Sequence, residues 1–175
     1  MAPTAKPAPN AKSISSSVST KSWVDPITHP IRPARPSERK ALEELQRRAS
    51  QKWDESQPEL MQQRVELPAE QIAAGLVIVV EHWGAPAGFV VVVPRDDGNA
   101  DLDGPFIEPD LWRTGLGRRL VEEAAHFATV LEAGVLVATA TPRSVPFYAK
   151  CGFTPAGTHN SSQGPLALMS RSLIF

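Results

Sequence analysis

Cysteine is nearly absent. One residue, Cys151, cannot close an internal disulfide or build a thiolate-rich metal site, so a reducing cytoplasm is the expected compartment. Long apolar runs are missing as well. Runs such as Leu76–Val80 and Ala87–Val93 fall far short of the ~20 residues that span a bilayer. Nor is there an excess of one charge: 18 Lys and Arg against 19 Asp and Glu leave a net −1. That balance argues against a protein whose main work is gripping nucleic-acid phosphates. What remains is 175 residues with 42% hydrophobic side chains, enough for one domain with a proper core.

Proline is plentiful but uneven. There are 17 prolines, close to twice the usual share of about 5%, and seven of them fall in the first 36 residues. Met1 to Ser22 is mostly Ala, Pro, Ser, Thr and Lys, with no acid before Asp25. Such a stretch has little to bury, so residues 1–28 are expected to be a disordered tail and 29–175 the folded domain. A transit peptide is the alternative for a basic, acid-free start, although arginine and amphipathic spacing are missing.

From Ile31 the pattern alternates. Ile31–Arg35 reads as a short edge strand, where proline is tolerated. Ser37 can cap a helix whose stripe is Leu42, Leu45, Ala49 and Trp53. Pro58 and Pro68 break the next segment, and a second short helix from Pro68 stops at Gly75. Leu76–Glu81, Ala87–Val93 and Ala100–Ile107 read as a three-strand meander, joined through His82–Pro86 and the turn Asp96–Asn99. Gly115–Glu132 is a long helix with Leu116, Leu120, Ala124, Phe127 and Leu131 on its buried side. Val135–Ala140 is a buried strand and Ser144–Lys150 a short helix. Two weaker strands then flank a turn at 160–164. The order specifies a single α/β (α+β) domain.

The informative stretch runs from Ile107 through Glu108, Pro109, Asp110, Leu111, Trp112, Arg113, Thr114, Gly115, Leu116 and Gly117 to Arg118. A strand ends, turns, and enters a helix through a Gly-x-Gly step flanked by arginines. Glycines admit close backbone approach, and free N–H groups at a helix start attract anions. Arg113, Arg118 or Arg119 could add charge-assisted bonds to a phosphate. The competing reading is a plain helix cap followed by a solvated basic face. A P-loop is excluded because Arg118-Arg119 stand where Lys-Ser/Thr is needed. A dinucleotide fingerprint is excluded because Leu120 takes the third small position and no acid ends the next strand.

A third arrangement fits. Ile107–Leu120 resembles the acetyl-coenzyme A loop of the GNAT superfamily of N-acetyltransferases, Val-x-Pro-x-x-(Arg/Gln)-Gly-x-Gly-(Ile/Leu)-Gly/Ala. Further on, Phe147-Tyr148-Ala149-Lys150-Cys151-Gly152-Phe153 resembles the family's second signature, Phe-Tyr-x-x-x-Gly-Phe. The resemblance covers Ile31 to the end of the chain. It implies a mixed, mainly antiparallel central sheet flanked by helices and splayed between strands 4 and 5. Trp112 stands where the family usually has Arg or Gln, Arg113 where it often has Gly, and Thr141 replaces a frequent Asn.

Acetyl-coenzyme A is then the implied co-substrate and an amine the acceptor, with no metal, nucleic acid or membrane partner. Phe106, Ile107, Trp112, Arg113, Thr114, Gly115, Leu116, Gly117 and Arg118 are the implied donor-binding positions. An alkylammonium (pKa about 10.4) must lose a proton before it attacks. The oxyanion needs donors, and the leaving thiolate needs a proton or solvation. Tyr148, the chain's one tyrosine, is the candidate acid, since a phenol of pKa about 10 stays protonated at neutral pH. Its competing reading is aromatic packing.

Asp101 and Asp103 share one strand face and are the candidate bases, with a solvated strand face or a water chain as alternatives. Pro105 within that strand implies a bulge. The four histidines are expected at surface positions without metal-ligand spacing, and Cys151 as a packing residue. Trp53 and Trp83 are candidates to line an acceptor pocket, with core packing as the alternative. The segment 53–66 and the loop near 161–164 are expected to shape the acceptor side. Direct attack without a covalent enzyme intermediate is the implied reaction, and dimers are common in the family. A non-catalytic acyl-coenzyme A sensor on the same fold is the rival reading.

Overall fold

The structure, a computed structural model, describes residues 29–53, 66–162 and 164–174. The expected tail 1–28, the break at Pro58 and the tip of the last turn at Gln163 lie outside these residues, as does most of the acceptor-side segment 53–66.

The elements keep the expected order. They are β1 (Ile31–Pro33), α1 (Arg39–Trp53), α2 (Ala69–Ala73), β2 (Val77–His82), β3 (Ala85–Pro94), β4 (Ala100–Ile107), α3 (Leu116–Val130), β5 (Val135–Ala140), α4 (Val145–Lys150), β6 (Thr154–Ser161) and β7 (Gly164–Ser172). The seven strands form one sheet in the order β1-β2-β3-β4-β5-β7-β6. Every neighbouring pair is antiparallel except β4 and β5.

Alternation along the strands feeds two cores. Val80, Val90, Val92, Leu102, Leu136, Ala138 and Met169 pack with Leu116, Leu120, Val121, Ala124 and Ala128 of α3. On the opposite face Val77, Val79, Phe89 and Val91 pack with Leu42 and Leu45 of α1 and Ile72 of α2. The buried side of α3 is wider than the expected single stripe. It adds Val121, Ala125 and Ala128, while Phe127 is only partly covered.

Some local expectations change. The β2–β3 turn is shorter than expected: only Trp83 and Gly84 are outside the strands, at φ +51° and +75°, as mirror-image two-residue hairpins require. Ser37 does not cap α1. A 3-10 turn at Pro36–Glu38 precedes the helix, and Glu38 reaches back to accept the Arg35 N–H at 2.8 Å.

Glu38 also belongs to the ionic contact that secures the edge strand. The Arg32 guanidinium forks between Glu38 and Glu81, joining β1, the 3-10 turn and β2. All three side chains are largely buried, at 13–17% exposure. The guanidinium bonded to Glu38 holds that carboxyl below the ordinary carboxylate range.

Arg32→Ala leaves two largely buried carboxylates side by side and should cost about 2–3 kcal/mol in urea unfolding at pH 7. Because the folded-state value of Glu38 is depressed, its stabilisation is present above the unfolded value of about 4.3. It is lost as pH falls through the lower folded value. The gap between wild type and Arg32→Ala should therefore narrow in acid; a gap that widens would exclude this ion pair as its source.

Candidate active site

The site begins where a ladder stops. β4 and β5 pair in parallel only at Ala100–Leu136, Asp101–Val137 and Leu102–Ala138. β4 runs on to Ile107 and β5 to Ala140, so beyond Leu102 the two strands part. The expected bulge is there: the β3–β4 register shifts between Phe89 and Val91, which face Phe106 and Asp103. Gly104 and Pro105 thus oppose Val90 alone. Gly104 has φ +97°, and Pro105 has no N–H to give a ladder.

The bulge decides where backbone groups point. Glu108 N–H donates to the Ala87 carbonyl at 2.9 Å. Alternation in an antiparallel ladder then turns the N–H and C=O of Ile107 away from β3, into the gap. Phe106, one residue earlier, directs its main chain to Phe89. The Ile107 carbonyl accepts the Trp112 indole N–H at 2.8 Å, leaving the Ile107 N–H facing the opening. Gly88 lies opposite Ile107, where a Cβ would stand 2.5 Å from the Ile107 side chain. A side chain there would have to displace the Ile107 side chain and crowd the Phe106 carbonyl at 3.0 Å.

The loop after β4 is a 3-10 turn at Pro109–Leu111 followed by a tight entrance to α3. Thr114 Oγ1 closes it by donating to the Leu111 carbonyl at 2.6 Å. Gly115 is the helix N-cap at φ +93°. The N–H groups of Leu116, Gly117 and Arg118 begin the helix and have no acceptor within it. Arg113 and Arg118 are exposed beside this end. Arg113 sits at φ +64°, which accounts physically for a position that suits glycine. A Cβ at Gly117 would stand 3.4 Å from the Phe147 ring, so α4 packs closely on the first turn of α3.

Tyr148 is buried in α4 between Phe147 and Phe153, with ring centroids at 5.3 and 5.5 Å. Its hydroxyl donates to the Gly104 carbonyl at 2.5 Å, so it reaches across the gap to the bulge. Burial, aided by the Asp103 charge, raises its pKa, and the phenol stays protonated at neutral pH.

Asp101 and Asp103 alternate with buried Leu102 and so face away from α3. They do not share one environment. Asp101 lies 3.4 Å from Arg95, both side chains open to solvent. Asp103 is accessible by surface area, yet desolvation pushes its carboxyl above the ordinary range, outweighing the Gly104 N–H that lowers it.

Other contacts join residues far apart in sequence. Trp53, the last residue of α1, meets Trp112 edge-to-face at 5.4 Å, and the Arg143 guanidinium lies 4.9 Å over its ring. Arg48 of α1 pairs with Glu108. The histidine expectation fails at His29, which is buried and stacked on His82, with Nε2 2.9 Å from the His82 Nδ1. Its backbone carbonyl also takes a bond from Arg119. Trp83 is 85% exposed at its hairpin tip. Cys151 is buried packing. No helix among the described residues is long and apolar enough to cross a membrane.

The comparisons agree with this geometry. The sequence model of the acetyltransferase (GNAT) family matches residues 39–153. The chain belongs to the GNAT family of acetyltransferases. No curated protein sequence matches it. Among solved structures, Ard1 from Thermoplasma volcanium is similar at TM-score 0.67 and 15% identity, covering 85% of this chain and 99% of that one. The yncA protein of Salmonella typhimurium, assigned as an acetyltransferase and solved with its cofactor acetyl-CoA, gives 0.65 at 18% identity over 84% and 95%. The ribosomal-protein-S18-alanine N-acetyltransferase of Escherichia coli gives 0.62 at 17% identity over 84% and 95%. At these identities the likeness is one of fold.

The left-handed backbone at Arg113 makes a stability prediction. Arg113→Gly should relieve about 1 kcal/mol of strain and raise Tm by about 2–4 °C. A lower Tm in differential scanning calorimetry would mean that the arginine side chain makes contacts worth more than the strain.

Proposed function

We propose that this chain transfers an acetyl group from acetyl-coenzyme A to a primary amine, small or protein-borne, by direct attack. The observation that carries the reading is the opened gap between β4 and β5, with Tyr148 reaching the bulge and the α3 N-terminus at its mouth. The pantetheine arm lies in the gap against the Ile107 N–H, with Phe106 beside it. The diphosphate lies on the N–H groups of Gly115–Arg118, with Arg113 and Arg118 adding charge. Thr114 holds the loop closed, and Trp112 fixes its base on Ile107.

The chemistry comes from the two unlike groups at the bulge. Asp103, directly or through a water, takes a proton from the acceptor ammonium. The freed nitrogen lone pair attacks the thioester carbon and forms a tetrahedral oxyanion, which the Ile107 N–H, the main-chain donor directed into the gap, stabilises. The carbon–sulfur bond then breaks, the Tyr148 hydroxyl leaves the Gly104 carbonyl to hydrogen-bond the departing thiolate, and the extra proton on nitrogen passes to solvent water, leaving the neutral amide. Asp103 is preferred to Asp101 because Asp101 faces Arg95 in solvent. The catalytic domain is 29–175, with 1–28 as an appended tail, working in the cytoplasm with no metal and possible as a homodimer.

A second reading keeps the donor and drops the chemistry. Trp112 occupies the Ile107 carbonyl, a group that an amide of the donor would otherwise use. An acyl-coenzyme A sensor would tolerate that loss better than an enzyme.

Calorimetric titration with acetyl-coenzyme A and thiol release with an amine panel separate the readings. The enzyme should bind at micromolar concentration, and Arg113→Ala should weaken that binding. Tyr148→Phe should lower turnover at least about tenfold while leaving binding intact. Binding without turnover would favour the sensor, and no binding at millimolar donor would exclude both.

The raised carboxyl of Asp103 also sets a pH signature. As a base it works only when ionised, so kcat/KM should rise with pH through a limb lying above the ordinary Asp value of about 3.9. Asp103→Asn should abolish that limb and Asp101→Asn should not. The opposite pattern would transfer the role to Asp101.

A further inference from the structure

Past Leu102 and Ala138 no backbone ladder joins β4 to β5, so side chains must fix how far the two arms stand apart. The described residues provide two spans. The inner one is the Tyr148 hydroxyl on the Gly104 carbonyl. The outer one is built on Trp53. On the β4 side its ring meets Trp112, whose indole N–H is itself bonded to Ile107. Arg48, on the same helix end, pairs with Glu108. On the β5 side Arg143, three residues past the strand, stacks its guanidinium on the Trp53 ring and donates to the Trp53 carbonyl. The strands are parallel, so Ile107 and Ala140 end at the same side of the sheet, and Trp53 touches the loop after each strand.

We propose that Trp53 is a positioning residue: the end of α1 clasps the loops after β4 and β5 and sets the width of the mouth through which the acyl donor enters. The inference rests on the proposed function only for the identity of the entering ligand. Its physical basis is that an edge-to-face aromatic contact and a guanidinium–indole stack are each favourable and directional. Neither contact can persist if the arms separate. The rim formed by the end of α1 is therefore an aromatic bridge, and a donor lies between it and the Tyr148 span.

The test compares wild type with Trp53→Ala, Trp53→Phe and Arg143→Gln. In ligand-free protein, hydrogen exchange should speed up by about fivefold at residues 103–107 and 139–141 in Trp53→Ala. Trp53→Phe, which keeps a ring for both partners, should restore wild-type exchange, and Arg143→Gln should give a smaller increase. Acetyl-coenzyme A should bind Trp53→Ala about tenfold more weakly, with donor KM raised and kcat changed less than about twofold.

Unchanged exchange in these segments would overturn the proposal, as would weakened binding that Trp53→Phe fails to rescue. Should Trp53→Ala not fold, Arg143→Gln carries the same exchange readout on one half of the clasp. If wild type binds no acetyl-coenzyme A, the proposed function falls, while the ligand-free exchange still decides the clasp.

Discussion

The feature on which everything else depends is a pairing that stops. Parallel strands β4 and β5 hold each other for three residue pairs and then diverge. The cause is local. Gly104 at positive φ and Pro105 without an N–H insert an extra residue opposite Val90, and a bulged strand bends away from its neighbour. Unpaired backbone is costly when buried, so an opening like this persists only where water, side chains or a ligand take over. Here the Gly104 carbonyl is met by Tyr148 and the Ile107 carbonyl by Trp112. The Ile107 N–H is directed into the gap. The polarity of the opening is thus set by which backbone groups the protein satisfies itself.

The two cores make the opening tolerable. Up to Leu102 the sheet is gripped on both faces, by α3 on one and α1 on the other. The same packing of α3 that buries Leu116 and Leu120 aims the helix's N-terminal N–H groups past the end of β4. Helix geometry and dipole favour an anion at such an end whatever the neighbouring side chains. That explains why Trp112 and Arg113 can depart from the familiar loop without dismantling it. Gly115 still supplies the left-handed cap, and Thr114 still closes the turn.

The fold was legible because its signals are local: valine alternation, a helical stripe on α3, and turn residues at Asp96–Asn99. The bulge was legible too, from Pro105 inside a strand. The loop around Gly115 and Gly117 could be matched to the family's donor loop only together with the later Phe147-Tyr148 signature. What sequence could not supply were contacts between distant positions. Trp53 and Arg143 are ninety residues apart, and Arg48 and Glu108 are sixty; no spacing rule links them. The burial of His29 escapes sequence patterns for the same reason. A histidine in an irregular stretch before a strand carries no sign that His82 will stack on it.

The two aspartates show how much chemistry a bulge can separate. They lie two residues apart on one strand face, and by sequence they are equivalent. Asp101 still belongs to the regular ladder, opposite Val93, where Arg95 and solvent reach it. Asp103 is the last residue before the ladder breaks. Its carboxylate accepts the Gly104 N–H, lies near the Tyr148 phenol and is desolvated by the walls of the opening. Burial beside the bulge pushes the Asp103 carboxyl above the ordinary carboxylate range. One inserted residue therefore opens the gap, orients Ile107 and makes Asp103 unlike Asp101.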